Sequence, residues 1–145
     1  MAGQLNDATF LLVDDDQISI MAMQRAMRKL EIDNRTLVAR DGREALDILH
    51  NEVETAGGAL PPFIVALDIN MPRMNGIEFL DVVSADPSLQ DIVVLPFSSH
   101  EITRDALTPY EPHVAAHLCK DNPRDSLFAA LSTLGGDNQT ASIPA

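Results

Sequence analysis

The chain contains 145 residues, of which 46% are apolar, so it is long and apolar enough for one domain with a full core and is not a disordered chain. Its single cysteine, Cys119, excludes an internal disulfide and is typical of a reducing compartment. The net charge of −12 argues against direct nucleic-acid binding, because a phosphate backbone would be repelled. With no export signal and no membrane-spanning apolar run, we expect a soluble cytoplasmic protein.

Short apolar runs alternate with segments of helical periodicity along the chain. The runs predict five strands, at residues 10–13, 36–39, 63–67, 92–97 and 114–119. The helical segments predict five helices, at residues 18–30, 43–52, 76–83, 101–107 and 124–134. Strands that alternate with helices form a parallel sheet with right-handed crossovers. The sequence therefore predicts an α/β fold, a doubly wound five-stranded parallel sheet with helices on both faces. One domain is expected at 8–134, followed by a disordered tail at 135–145.

Three acids follow the first predicted strand directly, namely Asp14, Asp15 and Asp16. Asp16 or Ser19 is expected to cap the helix that begins there. Because the carboxyl ends of parallel strands meet at one edge of the sheet, these acids are placed at the edge where such folds bind their ligands.

The third predicted strand, 63–67, is a continuous apolar run that ends at Asp68. A run of this kind indicates a strand buried on both faces. The segment from Asn70 to Gly76 is rich in residues typical of turns, so the strand is expected to end at Asp68. Asp68 is then expected at the same edge of the sheet as the acids that follow the first strand.

Ser98 and Lys120 follow the last two predicted strands and complete a polar set at this edge. Clustered carboxylates repel one another unless a cation neutralises them, and oxygen ligands in a wet cleft suit Mg²⁺. Beside such a metal, Asp68 is placed to attack phosphorus. The metal and Lys120 would offset the phosphoryl charge, and Ser98 would donate a hydrogen bond to it.

These motifs resemble the receiver (response-regulator) domain of bacterial two-component signalling. The resemblance covers about residues 8–134 and rests on LLVDDD, ARDGREAL, LDINMPRMNGIEFL and the placement of Ser98 and Lys120. It implies the strand order 2-1-3-4-5. The chain is most similar to stand-alone receivers, including those paired with phytochrome-type kinases, and no output domain is expected after Leu134.

The resemblance also implies roles. Asp68 is the phosphoacceptor, assisted by Ser98 and Lys120. The metal set is Asp14, Asp15, Asp68 and the backbone carbonyl of Asn70. The implied phosphodonor is a histidine kinase or a histidine phosphotransfer protein. The implied output is binding to a downstream protein, with a homodimer possible, rather than enzymatic turnover or contact with nucleic acid or membrane.

The chain departs from the family pattern at several positions. His117 stands where the family usually has the aromatic residue of the switch, and a histidine there would add pH sensitivity. Pro96 lies inside the fourth strand, where it removes a ladder donor and is expected to favour a bulge that displaces Ser98. Pro109 and Pro112 are expected to shorten the helix at 101–107.

Two alternatives remain open at the level of sequence. The departures above favour a binding module on the same fold that works without phosphorylation, a pseudo-receiver. The acids after the first strand also resemble the D-x-D motif of haloacid-dehalogenase-like phosphatases, with Asp14 as nucleophile and Asp16 as acid. The downstream acidic pair of those phosphatases is missing.

Overall fold

The computed structural model describes residues 8–58, 62–69, 75–98, 114, 116–120 and 122–135. The strands are β1 (Thr9–Val13), β2 (Thr36–Ala39), β3 (Phe63–Asp68), β4 (Val93–Ser98) and β5 (Leu118–Cys119). The described helices are α1 (Gln17–Lys29), α2 (Gly42–Thr55), α3 (Gly76–Ala85) and α4 (Pro123–Gly135), with a 3-10 turn at Pro87–Leu89. The helix predicted at 101–107 and residues 136–145 of the predicted tail lie outside the described residues.

All five strands are parallel and lie in the order β2-β1-β3-β4-β5, which confirms the predicted doubly wound sheet. Side chains of β3 alternate between the two faces. Phe63, Val65 and Leu67 pack with α2 and α3, in what we call the α2–α3 core. Ile64 and Ala66 pack with α1 and α4, in the α1–α4 core. Because β3 is buried on both faces, its sequence is continuously apolar.

Three of the helices begin at residues that satisfy their free backbone N–H groups. The side chain of Asp16 accepts from Ile18 at the start of α1, as predicted, and Asp41 accepts from Glu44 at the start of α2. Asn75 and Glu78 form a reciprocal capping box at the start of α3. None of the described helices is long and apolar enough to cross a membrane.

The pairing of β4 is continuous on one side and interrupted on the other. Its register with β3 runs without a break from Val93 to Phe97, so the bulge predicted within β4 at Pro96 does not form on that side. Towards β5, Val94 pairs with Val114 and Phe97 with Leu118, so the outer chain advances one residue more than β4.

The break in the outer pairing lies at the level of Pro96, which has no backbone N–H to contribute to a ladder. Among the described residues of the predicted fifth strand at 114–119, the pairing with β4 consists of a bridge at Val114 and the two residues of β5. The extra residue of the outer pairing lies between Val114 and Leu118, and the predicted displacement of Ser98 stays a prediction.

Candidate functional site

Two acids from neighbouring strands lie side by side at the carboxyl edge of the sheet. Leu12 of β1 pairs with Ala66 of β3, and both belong to the α1–α4 core. Asp14 and Asp68 each come two residues later, so strand alternation places both carboxylates on the same side of the sheet. Both are buried, with 2% and 5% of their surface exposed. Neighbouring carboxylates repel one another when both are ionised, and a nearby cation relieves that repulsion.

The three acids after β1 have different environments. Asp14 is fixed by its backbone N–H, which donates to the carbonyl of Ala39, and by its Oδ1, which accepts from the backbone N–H of Asp16 at 2.8 Å. Asp15 is exposed. The carboxylate of Asp16 accepts from the backbone N–H of Ile18 at 2.9 Å and from the hydroxyl of Ser19, so it is engaged in capping α1. This engagement argues against the alternative that uses Asp16 as a catalytic acid.

Lys120 supplies a positive charge to both buried acids. Its Nζ lies 2.9 Å from Oδ2 of Asp14 and 3.5 Å from Oδ2 of Asp68. Only 19% of the lysine side chain is exposed. Burial lowers the pKa of the ammonium, but the close contact with Asp14 and the charge of Asp68 outweigh burial and raise the pKa above its usual value. Lys120 is therefore a stable cation at this edge.

Carboxylate oxygens of Asp14, Asp15 and Asp68 lie within 4.8 Å of one another. Oδ2 of Asp14 is buried and accepts no hydrogen bond of acceptable geometry from the described part of the chain. The Nζ of Lys120 lies close to that oxygen but in a poor direction for a hydrogen bond, so we treat the contact as an ion pair. A buried oxygen that lacks a donor is suited to a cation or to its coordinated water. The residues present therefore fit a divalent metal such as Mg²⁺.

The chain leaves the site through a close contact between Ile69 and Gly76. The N–H of Gly76 donates to the carbonyl of Ile69 at 2.9 Å. A Cβ at Gly76 would lie 2.8 Å from Cα of Ile69 and 3.0 Å from the carbonyl oxygen of Asp68. Only glycine permits this approach, which brings the start of α3 against the end of β3. The position of Asp68 therefore depends on Gly76.

The structure brings four of the predicted residues together: Asp14, Asp15, Asp68 and Lys120. The backbone of Ser98 ends β4 and pairs with Cys119, but the Ser98 side chain lies outside what the structure describes. The same is true of all of Asn70. His117 is half-buried just before β5. These placements leave the predicted roles of Ser98, Asn70 and His117 as predictions.

One residue at the site was missed by sequence reasoning. The ring of Phe97 lies beneath the Lys120 ammonium, with its centroid 5.4 Å from Nζ. In the sequence, Phe97 is one apolar residue within an apolar strand, and nothing local separates it from the rest of the core. The one feature of the sequence that could have identified Phe97 is its position directly before Ser98, at the end of the fourth strand.

Comparison with known proteins agrees with the observed fold. Residues 10–132 match the family described as the response regulator receiver domain. The response regulator Rcp1 of Synechocystis is 30% identical over 118 residues, which span 81% of this chain and 80% of that protein. The probable methanogenesis regulatory protein FilR2 of Methanothrix harundinacea is 32% identical, over 76% of this chain and 70% of that protein.

Solved structures of response regulators are also similar to this chain. The bacteriophytochrome response regulator AtBRR is 32% identical with a TM-score of 0.74, covering 89% of this chain and 93% of that one. The phosphorylated cyanobacterial phytochrome response regulator RcpA is 27% identical with a TM-score of 0.68, covering 96% and 99%. The chain belongs to the response regulator receiver family, whose members are signalling domains of two-component systems rather than turnover enzymes.

Proposed function

We propose that this protein is a phosphorylation-dependent signalling switch that accepts a phosphoryl group on Asp68 in a Mg²⁺-dependent reaction. The observation that carries the proposal is the joint placement of three acids and Lys120 at one sheet edge. Asp68 ends β3, the central strand, which lies between β1 and β4. The similar structure of phosphorylated RcpA is consistent with this role.

The chemistry follows from the charges at the site. A carboxylate oxygen of Asp68 attacks phosphorus of a phosphohistidine, an O–P bond forms, and the N–P bond to the imidazole breaks. The leaving imidazole keeps the N–P electron pair and departs neutral when its other nitrogen carries the proton. Lys120 lies within reach of the incoming phosphoryl oxygens and offsets their charge. When bound at Asp14, Asp15 and Asp68, Mg²⁺ supplies further charge neutralisation for the transferred group. We assign the hydroxyl of Ser98 a hydrogen bond to that group.

The phosphodonor in this proposal is a histidine kinase or a histidine phosphotransfer protein, and the output is binding to a downstream protein. Because the net charge is −12, direct nucleic-acid binding is disfavoured as the output. Phosphorylation adds charge at a buried edge and shifts an existing conformational equilibrium of the neighbouring segments. His117, half-buried before β5, is our candidate for a residue that responds to this shift.

Intact-protein mass spectrometry after incubation with phosphoramidate tests the proposal directly. We expect one added phosphoryl group in the presence of Mg²⁺ and none when EDTA is present. The Asp68→Asn variant should remain unmodified. The matched control is Asp16→Asn, which removes one charge near the site but keeps an N-cap residue on α1.

A wild-type protein that binds Mg²⁺ but gains no phosphoryl group from phosphoramidate or from a phosphorylated histidine donor would contradict the proposal. That result would favour the pseudo-receiver alternative, in which the unmodified protein binds its partner. Modification of Asp68→Asn at the wild-type level would contradict the choice of acceptor instead.

A further inference from the structure

The four strands that contribute to the site end at different heights. Asp68 of β3 is in register with Phe97 of β4, which is in register with Leu118 of β5. These residues form one row across the sheet, and Lys120 lies two residues beyond that row. The lysine side chain must therefore turn back across the row to reach the carboxylates of Asp68 and Asp14.

Phe97 lies directly under this path. Its side chain is 3% exposed and belongs to the α1–α4 core, on the side of the sheet that also holds Asp14 and Asp68. The ring centroid is 5.4 Å from Nζ, inside the distance of about 6 Å at which the negative ring face attracts a cation. The ammonium thus lies near the ring of Phe97 as well as near the two carboxylates.

We propose that Phe97 is a positioning residue that holds Lys120 against the acid cluster, so that the lysine both competes with Mg²⁺ and is aligned for the phosphoryl group. Phe97 itself contacts neither metal nor phosphoryl group in this proposal. The predicted effect of Phe97 on phosphoryl transfer rests on the proposed function. The predicted effects of Phe97 on Lys120 and on Mg²⁺ binding are independent of the proposed function.

The proposal predicts that loss of the ring tightens Mg²⁺ binding but slows phosphorylation. In Phe97→Leu, the apolar packing is largely kept but the ring face is lost. The freed lysine competes less well for the carboxylates, so the Mg²⁺ dissociation constant should fall about two- to fivefold. The rate constant for phosphorylation at saturating Mg²⁺ should also fall, by about three- to tenfold, because the lysine is less well aligned. Phe97→Tyr keeps a ring and should restore both values.

Phe10→Leu is the matched control. Phe10 is 3% exposed, as Phe97 is, and belongs to the same core, but it lies at the opposite end of β1 from the site. Loss of core packing in this variant should leave Mg²⁺ affinity and phosphorylation rate near the wild-type values. General structural damage, in contrast, would weaken Mg²⁺ binding and slow phosphorylation in both leucine variants.

Nuclear magnetic resonance tests the contact between Phe97 and Lys120 in the wild-type protein itself, so the test does not depend on the folding of a variant. Methylene protons next to Nζ of Lys120 should be shifted upfield by the ring of Phe97, and the shift should disappear in Phe97→Leu. The absence of an upfield shift in the wild type would overturn the proposal. Equal Mg²⁺ affinities for Phe97→Leu and Phe10→Leu would overturn it too. If the wild type accepts no phosphoryl group, the proposed function fails, while the resonance and Mg²⁺ measurements still decide the role of Phe97.

Discussion

The ammonium of Lys120 lies closer to Asp14 than to Asp68, at 2.9 Å against 3.5 Å. In the absence of a metal, this lysine neutralises part of the charge of two buried acids. We expect Lys120→Met to lower the free energy of unfolding by about 1–3 kcal/mol without Mg²⁺, because the carboxylates lose their counter-charge. Saturating Mg²⁺ should remove most of that loss, since the metal takes over the same role.

Thermal unfolding with and without Mg²⁺ measures this effect. The control is Lys29→Met, which removes the same charge from an exposed position at the end of α1. Equal stabilisation of both variants by Mg²⁺ would show that Lys120 does not compete with the metal.

Gly76→Ala should destabilise the protein by about 1–3 kcal/mol, because the new methyl group would overlap the Ile69 backbone. Alanine is otherwise favoured over glycine in a helix, so a stabilising outcome would mean that the close contact does not exist. Phosphorylation should also slow, because Ile69 directly follows Asp68. Chemical denaturation and the phosphoramidate assay provide the two measurements.

A second substitution checks the origin of that cost. The added Cβ would also lie 2.8 Å from Cδ1 of Ile69, an atom that valine lacks. Combining Gly76→Ala with Ile69→Val should recover only part of the stability, because the overlap with the Ile69 Cα remains. Full recovery would assign the cost to the side chain alone.

The pair between Arg35 and Glu52 should give stability a dependence on pH. Two N–H···O contacts of 2.9 and 3.0 Å join the start of β2 to α2. The hydrogen bond from Arg35 lowers the pKa of Glu52 below its ordinary value of 4.5. The stabilisation is therefore complete above pH 4.5 and is lost as pH falls through the lowered value.

Glu52→Gln removes this contribution. Because Arg35 is 56% exposed, solvent screening limits the effect to about 0.3–1 kcal/mol at neutral pH. The difference from wild type should vanish in acid, as measured by urea denaturation at several pH values. Glu54→Gln, an exposed acid on the same helix, is the control and should show no such convergence.

Asp86 connects α2, the end of α3 and the 3-10 turn. It accepts from His50 of α2 at 2.8 Å and from the backbone and hydroxyl of Ser88 at 2.9 and 2.8 Å. Asp86→Ala should therefore cost about 1–2 kcal/mol, because the cap of the 3-10 turn is lost together with the hydrogen bond to His50. His50→Ala should cost less than about 1 kcal/mol, since His50 is half-exposed.

A double-mutant cycle on His50 and Asp86 separates the two contributions. The coupling energy should be smaller than the remaining cost of Asp86→Ala. A coupling energy equal to the full cost would show that the cap at Ser88 adds nothing. This pair joins residues 36 positions apart and was not predicted from the sequence.

The sequence alone determined the order of strands and helices and the polar residues that follow each strand. Apolar periodicity is local, so runs such as Phe63 to Leu67 identify buried strands without knowledge of their neighbours. The parallel arrangement then requires that the residues after β1, β3 and β5 meet at one edge. The proximity of Asp14, Asp68 and Lys120 was predictable for this reason.

Tertiary structure alone decided which of these groups touch and what supports them. The preference of Lys120 for Asp14, the ring of Phe97 beneath it and the break in pairing opposite Pro96 all depend on register between strands distant in the chain. The pairing of His50 with Asp86 joins residues 36 positions apart. Such contacts are set by packing of whole elements, and a single sequence records the residues but not the heights at which neighbouring strands align.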